Sequence, residues 1–291
     1  MALGLVETGM AASERAAQRA GLGQEMTVVL DAARRAGALQ MDRYERLERI
    51  EHKAAHDVVT EVDTLSEELI ISTIRDAFPN DRFLAEESGH SGNGSHKGGR
   101  TPPPTIDPDT RTWVIDPLDG TVNYANGIPV FCVSIGLVVG GLPVIAAVFD
   151  PTRDDLYSAV AGGGAFLNDR PITLSVKEKL SDLVISLALP HRGYARRESR
   201  IRSAIRVSRV TGSAALALAY VGNGRFDAFV QGAGLSPWDI AAAGLIAAEG
   251  GALITDITDG PWFDLSRGAK SVGVLAAAPV HHASFLDLLR R

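Results

Sequence analysis

The pattern of apolar and polar residues near the start of the chain predicts two helices. Apolar positions recur every three or four residues from Glu25 to about Ile50, in a stretch of helical composition. A second apolar stripe predicts a helix that begins near Leu65, because Thr64 starts the pattern of a capping box. Pro79 ends this second helix, since proline removes the backbone donor that a further turn needs.

Short apolar runs separated by glycine-rich turns follow the second helix. They predict the strands of an antiparallel sheet, at residues 82–85, 113–115, 130–139, 143–150 and 155–160. The segment 88–111 interrupts them and is rich in Gly, Ser and Pro. We interpret it as a loop, and favour a tolerated surface insertion over a functional lid.

Strands and helices alternate in the second half of the chain. Strands are predicted at 182–189, 225–230, 252–256 and 272–277, and helices at 196–206, 212–224, 237–249 and after Pro279. This alternation predicts a layered α/β unit. We divide the chain into a flexible N-terminal extension (1–24), an α+β half with an antiparallel sheet (25–160) and an α/β half (161–291), the two halves packed as one catalytic unit.

Composition narrows the classes of protein that fit this pattern. With 291 residues, 45% of them hydrophobic, the chain can bury a large core, and its formal charge of -6 disfavours binding to nucleic acid or anionic membrane. The single cysteine, Cys132, excludes an internal disulfide and fits a reducing compartment. No signal-peptide pattern begins the sequence, and glycines and a proline interrupt its longest apolar region. We expect a cytoplasmic protein that does not enter membranes.

Carboxylates cluster in four short stretches where local structure is expected to change: 57–63, 84–89, 113–124 and 236–244. Each has a local explanation when it is considered singly. Asp239 suits the first turn of a helix, and Asp-Pro and Asp-Gly pairs are common in turns. The adjacent acids at 86 and 87 would ordinarily face water.

Asp116 and Asp119 are harder to explain by turn chemistry, because apolar residues flank them on both sides. Two neighbouring carboxylates at the edge of a core repel each other and lose solvation, and a divalent cation would relieve both costs. The available ligands are oxygens, which favours Mg²⁺ over Zn²⁺, and the spacing of a calcium loop is absent. We therefore predict a magnesium site at this turn.

Gly120 and Thr121 follow the second of these aspartates and suit an anion. A glycine lets backbone N–H groups approach closely, and the threonine adds a hydroxyl. Cations on one side and amide donors on the other make a phosphate site. The stretch 212–215 is a second candidate patch, because Gly212 and Ser213 open a predicted helix.

Four motifs together resemble those of the inositol monophosphatase family of Mg²⁺-dependent, lithium-sensitive phosphatases. In chain order they are DVVTEVD at 57–63, EES at 86–88, DPLDGTVNY at 116–124 and WDIAAAGLIAAEGG at 238–251. The resemblance runs from about residue 25 to 290. It implies a sandwich of stacked α, β, α, β and α layers, as in fructose-1,6-bisphosphatase, assembled as a homodimer that hydrolyses a small phosphorylated substrate.

The resemblance also implies roles for individual residues. One Mg²⁺ would be held by Glu87, Asp116 and the carbonyl of Leu118, and a second by Asp116, Asp119 and Asp239. The attacking water would be positioned by Thr121, hydrogen-bonded to Asp63, and Lys53 would lie near the metals. The remaining substrate contacts would come from Asp119, Gly120, Thr121, Gly212, Ser213 and Gln231. Asp57 and Thr60 are expected to be structural.

The sequence departs from the family pattern at three places. Tyr124 replaces the usual phenylalanine, a minor change for a ring that only packs. Gln231 aligns approximately with a glutamate that some members use to bind inositol hydroxyls, with one extra residue before Trp238, which weakens inositol specificity. The segment 190–212 contains seven arginines. We favour a solvated helix face for it over a basic wall for a second phosphate. Inositol monophosphate, fructose 1,6-bisphosphate, a nucleotide 3′-phosphate and histidinol phosphate all remain open.

Two rival interpretations differ in mechanism. A haloacid-dehalogenase-type phosphatase would use an aspartate nucleophile, but its loop needs Asp-x-Asp, and two residues separate Asp116 from Asp119. Some bacterial relatives of the family act as accessory factors in ribosomal RNA transcription, which is a non-enzymatic alternative. The complete set of metal-ligand motifs favours a phosphatase.

Overall fold

The computed structural model describes residues 10–46, 50–54, 57–91, 110–267 and 269–290. The helices among them are α1 (Ala12–Arg19), α2 (Gly23–Arg43), α3 (Glu61–Ala77), α4 (Thr121–Ala125), α5 (His191–Ala204), α6 (Ala214–Gly222), α7 (Pro237–Glu249) and α8 (Pro279–Arg290). The strands are β1 (Ile50–Ala54), β2 (Asp57–Thr60), β3 (Arg82–Ala85), β4 (Gly89–Ser91), β5 (Arg111–Asp119), β6 (Cys132–Val139), β7 (Leu142–Asp150), β8 (Asp155–Val160), β9 (Gly164–Leu167), β10 (Arg170–Ile172), β11 (Val184–Ala188), β12 (Val207–Arg209), β13 (Ala228–Leu235), β14 (Leu253–Asp256) and β15 (Val272–Ala277).

Two sheets organise the described part of the chain, beside a separate pair formed by β1 and β2. The first has eight strands in the order β10-β9-β8-β7-β6-β5-β3-β4, and every neighbour is antiparallel except β3 and β5. The second has five strands in the order β12-β11-β13-β15-β14, with β11 parallel to both of its neighbours. Sequential hairpins build the first sheet, whereas helical crossovers build the parallel part of the second.

The sheets alternate with helices in five layers. Helices α2 and α3 cover one face of the first sheet, α6 and α7 lie between the two sheets, and α5 and α8 cover the outer face of the second. This confirms the predicted αβαβα sandwich. None of the described helices combines the length and the apolar character required to cross a membrane.

Helix α7 lies at the centre of this sandwich and is apolar on all sides, as expected for an element buried between two sheets. Small residues let it pack closely on the first sheet. A Cβ added at Gly136 of β6 would lie 3.2 Å from both the Cβ of Ala241 and the backbone nitrogen of Ala242. The close fit holds the first turns of α7 against β6.

Several predicted boundaries are wrong. Helix α1 occupies part of the segment predicted to be a flexible extension, and its Ala17 is fully buried. Helix α2 ends at Arg43, well before position 50, and the first sheet continues past position 160 through β9 and β10. Residues 88–91 of the predicted loop form a turn and β4, and residues 92–109 lie outside the described part of the chain.

The N-terminus of α3 also differs from the prediction. The capping box is formed by Thr60 and Asp63 rather than by Thr64 and Glu67, so the helix begins four residues earlier. Thr60 Oγ1 accepts from the N–H of Val62, and Asp63 Oδ2 accepts from the N–H of Thr60 at 2.8 Å. Asp63 therefore lies in the first helical turn, where the helix dipole favours its charged form.

Candidate active site

The turn at the end of β5 supplies the first two carboxylates of the site. The register of β5 against β6 breaks between Asp116 and Asp119, which lets both side chains leave the ladder. Asp116 Oδ1 accepts from the N–H of Leu118 at 3.0 Å, an Asx turn that fixes one of its oxygens. Both carboxylates are buried, as their apolar flanks predict.

Helix α7 brings the third carboxylate to this turn. Ser236 is its N-cap and Pro237 its first residue, and Asp239 Oδ2 accepts from the N–H of Ser236 at 2.6 Å. Carboxylate oxygens of Asp116, Asp119 and Asp239 all lie within 4.8 Å of one another. Residues more than a hundred positions apart thus form one acidic cluster.

Burial and mutual repulsion make the negative charges of this cluster unfavourable. Burial raises the pKa of Asp116 well above its usual range, and the nearby carboxylates of Glu86, Asp119 and Asp239 raise it further. Burial and the charge of Asp119 raise the pKa of Asp239 to about 7. The pKa of Asp119 is also raised by burial, against the hydrogen bonds that it accepts. Protons or a cation must therefore compensate the cluster at neutral pH.

The parallel register of β3 and β5 decides which of the two adjacent glutamates joins the cluster. Ala85 pairs with Ile115, and the N–H of Glu86 donates to the carbonyl of Ile115, so Glu86 lies beside Asp116. Glu87 follows in the turn after β3, where its charge adds to the effect of burial in raising the pKa of Asp63. Glu86 lines the cavity at the cluster, and its charge raises the pKa of Asp116. The structure thus places Glu86, where we expected Glu87, at the acidic cluster.

Glu67 of α3 stabilises the turn that carries Glu86. Its carboxylate is buried and accepts hydrogen bonds from the N–H groups of Glu87 and Ser88, each at 2.8 Å. Two charge-assisted bonds to consecutive amides fix the backbone of the turn. Glu67, which the sequence placed in a capping box, is therefore a support of the acidic turn.

Thr121 and Asp63 form a hydrogen-bonded pair next to the cluster. Thr121 Oγ1 lies 2.9 Å from Asp63 Oδ1 and 3.0 Å from the carbonyl oxygen of Leu118. Burial raises the pKa of Asp63 to about 6, although its hydrogen bonds with Thr60 and Thr121 lower it. The Leu118 carbonyl thus faces the Thr121 hydroxyl. The pair is geometrically suited to orient a small polar molecule.

Gly120 makes the sharp turn between β5 and α4. Its φ of 101° lies in the region that favours glycine, and an added Cβ would lie 2.9 Å from the carbonyl oxygen of Val130. Any larger residue would displace the backbone of this turn. Gly120 and Thr121 therefore lie beside the carboxylates, as the motif predicts.

The stretch that opens α6 contacts Asp119 directly. The hydroxyl of Ser213 and the N–H groups of Ala214 and Ala215 all donate to the Asp119 carboxylate, at 2.5, 3.2 and 2.8 Å. Gly212 has a φ of +79°, and a Cβ there would lie 2.8 Å from the side chain of Asn123. The second candidate phosphate patch is thus joined to the acidic cluster, and its first helical amides face a protein carboxylate.

A cavity of about 320 Å³ opens at the cluster. Its lining includes Glu86, Asp119, Asp239, Gln231 and Lys270. Lys53 lies on β1, and its side chain falls outside the described part of the structure. The cavity is large enough for a small phosphorylated alcohol.

Comparisons with known proteins agree with this geometry. The sequence model of the Inositol monophosphatase family matches residues 23–291. The chain belongs to the inositol monophosphatase family. Inositol monophosphatase 2 of Solanum lycopersicum is 36% identical over 249 residues, which cover 82% of this chain and 89% of that protein. The Nus factor SuhB of Salmonella typhimurium is 37% identical over 243 residues, with 81% and 86% covered.

A solved structure extends the similarity to the fold. The crystal structure of extragenic suppressor protein suhB from Bartonella henselae matches with a TM-score of 0.81 and 32% identity, over 92% of this chain and 99% of that one. Membership of the inositol monophosphatase family makes the protein a phosphatase that hydrolyses phosphoric monoesters. The buried acidic cluster suits the metal dependence of this family.

Sequence reasoning missed three residues that lie in or behind the site of this family member. Glu86 could have been found only with the parallel register of β3 and β5, which places it beside Asp116. Lys270, with a φ of 58°, lines the cavity and donates its backbone N–H to Ser236 Oγ at 3.0 Å. Gln40 falls within the first predicted helix, yet its side chain contacts the backbone of the acidic turn. Neither Lys270 nor Gln40 stands in a recognisable motif.

Proposed function

We propose that the protein is a Mg²⁺-dependent phosphatase that releases inorganic phosphate from inositol monophosphate. The observation that carries this proposal is the convergence of Asp116, Asp119 and Asp239 within 4.8 Å, next to Gly120 and Thr121. Oxygen ligands, burial and raised pKa values together fit a hard divalent cation. This convergence brings together β5 of the first sheet and α7 of the central helical layer.

The residues present fit two metal positions. Glu86, Asp116 and the carbonyl of Leu118 would hold one ion, with Glu86 taking the place that we first gave to Glu87. Asp116, Asp119 and Asp239 would hold the other. Bound metal ions supply charge neutralisation at the phosphoryl oxygens and lower the pKa of a bound water. The N–H groups of Gly120 and Thr121 would hold the substrate phosphate from the opposite side.

Thr121 and Asp63 would orient the attacking water. Asp63 Oδ1 accepts the hydroxyl proton of Thr121, which leaves the lone pairs of Thr121 Oγ1 to accept a hydrogen bond from water. Because Asp63 is tied to Thr60 by two further hydrogen bonds, the threonine rotamer is fixed. Positioning of this kind supplies much of the rate in phosphoryl transfer.

The alcohol part of the substrate would lie against Gly212, Ser213 and Gln231. Gln231 is half-buried on β13 and lines the cavity, so that its amide can meet a sugar-like hydroxyl. Fructose 1,6-bisphosphate, a nucleotide 3′-phosphate and histidinol phosphate are the alternative substrates. We also propose that the protein forms a homodimer, is inhibited by Li⁺ and is located in the cytoplasm. Lys53 would lie near the metals.

A substrate panel tests this function directly. Phosphate release from inositol 1-phosphate, fructose 1,6-bisphosphate, a nucleotide 3′-phosphate and histidinol phosphate is measured with Mg²⁺, and again after chelation. We expect the highest kcat/KM on inositol 1-phosphate and loss of activity on chelation. Activity that survives chelation contradicts the metal assignment, and a clear preference for another phosphate contradicts the substrate.

The similarity to the Nus factor SuhB supports a second candidate function, in transcription. The tagged protein would be incubated with purified RNA polymerase, and retention of the polymerase would be measured. Retention together with Mg²⁺-dependent turnover indicates two functions. Retention without turnover on any of the four phosphates favours the transcription role alone.

A further inference from the structure

Gln40 is a fully buried amide in the last part of α2, outside every motif of the site. Its Nε2 donates to the carbonyl oxygen of Pro117 at 2.7 Å. A carbonyl oxygen only accepts hydrogen bonds, so the NH₂ end of the amide must face it. Gln40 therefore reaches from the outer helical layer into the turn that carries the acidic cluster.

The peptide group between Pro117 and Leu118 is held at both of its polar ends. Gln40 binds its carbonyl, and Asp116 Oδ1 accepts from its N–H at 3.0 Å. Because a peptide group is planar, its C=O and N–H directions are locked to each other. Fixing the carbonyl direction thus fixes the direction of the N–H that orients the Asp116 carboxylate.

The amide of Gln40 has a cost that a packing role does not explain. Its Oε1 is buried and has no hydrogen-bond partner among the described residues. A buried unpaired acceptor is unfavourable, and a leucine or methionine would fill a similar volume without it. Only a side chain with a donor can serve the Pro117 carbonyl.

We propose that Gln40 is a positioning residue that sets the orientation of the Asp116 carboxylate for metal binding. The inference rests on the proposed metal site and extends it to a residue of the outer helical layer. Hydrogen bonds behind a metal ligand typically change metal affinity by about 10- to 100-fold. Gln40 acts through the 117–118 peptide and does not itself contact the site.

The test measures binding of Mn²⁺ alone to the full chain by isothermal titration calorimetry. Gln40→Leu is the main variant, and Gln40→Met is the second, in case the first fails to fold. We expect each to weaken Mn²⁺ binding about tenfold. Substrate KM at saturating metal should stay within about twofold, because the contacts to the alcohol are untouched.

Tyr124→Phe is the matched control. The Tyr124 hydroxyl donates to the backbone carbonyl of Gln40 at 2.7 Å, so this variant also loses one buried hydrogen bond to the same residue. It leaves the Pro117 carbonyl paired, and Mn²⁺ affinity should therefore stay within about twofold of the wild type.

The outcomes separate this inference from the proposed function. If wild-type protein binds Mn²⁺ and the folded Gln40 variants bind it equally well, the positioning role is wrong and the metal site stands. An equal loss in Tyr124→Phe also overturns the role, since general loosening then explains it. Absence of Mn²⁺ binding to wild-type protein contradicts both.

Discussion

The acidic cluster with its Thr121–Asp63 pair (the metal side) and the proposed alcohol contacts around Gln231 (the alcohol side) are built in different ways. On the metal side, Asp63 and Asp116 are each about 1% exposed and take part in short hydrogen bonds to neighbouring backbone or hydroxyl groups. On the alcohol side, Gln231 makes a long hydrogen bond of 3.4 Å to Ala233, and Val210 is 70% exposed. The proposed chemistry thus depends on a buried network, while the proposed contacts to the alcohol come from side chains that are loosely held.

The largest expected effect comes from breaking the metal side. Asp116→Asn removes a charge that both proposed metal positions share, so kcat/KM should fall about 1,000-fold, which corresponds to several kcal/mol of lost stabilisation. The fold should persist, because the wild-type carboxylate is itself costly to bury. Steady-state kinetics and circular dichroism check this. Wild-type turnover at saturating Mg²⁺ would refute the metal assignment.

A smaller loss should follow from removal of the hydroxyl that orients water. Thr121→Ala should lower kcat about 100-fold with little change in KM, since the hydroxyl acts on the water and not on the alcohol. Thr121→Ser keeps the hydroxyl and is the matched control, with an expected loss below about tenfold. Equal kcat in the alanine and serine variants would show that the hydroxyl has no part in the reaction.

The raised pKa values make the metal side sensitive to pH. Asp239, with a pKa of about 7, is mostly protonated at pH 6, and an incoming cation must displace that proton. Mg²⁺ affinity should therefore rise about tenfold from pH 6 to pH 8, as one carboxylate ionises. Calorimetry in buffers of different ionisation enthalpy would detect the released proton. Asp239→Asn serves as the comparison, and an unchanged affinity in wild-type protein would contradict the prediction.

Without metal, the free energy of unfolding should change with pH in the opposite direction to the Mg²⁺ affinity, and fall as the pH rises. Folded Asp239 binds its proton more tightly than the unfolded chain does, whose carboxyl titrates near 3.8. Its contribution is therefore present below about pH 4 and is lost as the pH rises through about 7. Urea unfolding in EDTA should show this loss in wild-type protein, and a smaller one in Asp239→Asn.

The smallest effects are expected on the alcohol side. Gln231→Ala should raise KM for inositol 1-phosphate less than tenfold and leave kcat nearly unchanged, because a half-buried amide contributes one or two hydrogen bonds. Gln231→Glu tests whether a carboxylate recognises the hydroxyls better. If Gln231→Ala lowered kcat as much as Thr121→Ala does, the proposed difference between the metal side and the alcohol side would be wrong.

The sequence predicted the metal side better than the alcohol side for a physical reason. Asp116 and Asp119 stand out because charges in an apolar run are costly, and α7 was predicted over its full extent from Ser236 and Pro237. Glu86 was missed because the prediction did not include the parallel register with β5. Gln40 and Lys270 reach the site only through tertiary packing, which local patterns do not encode.

The tight packing of α7 has a consequence for how new specificities could be engineered. Its start is fixed against β6 at Gly136, and a Cβ on Gly244 farther along would lie 2.3 Å from the ring of Trp262. Randomising this central layer would therefore destroy most library members. The exposed segments at Val210 and Lys270 can be exchanged while the central helix is left as it is. A small set of grafted loops would then be a better starting library than mutagenesis of the whole gene.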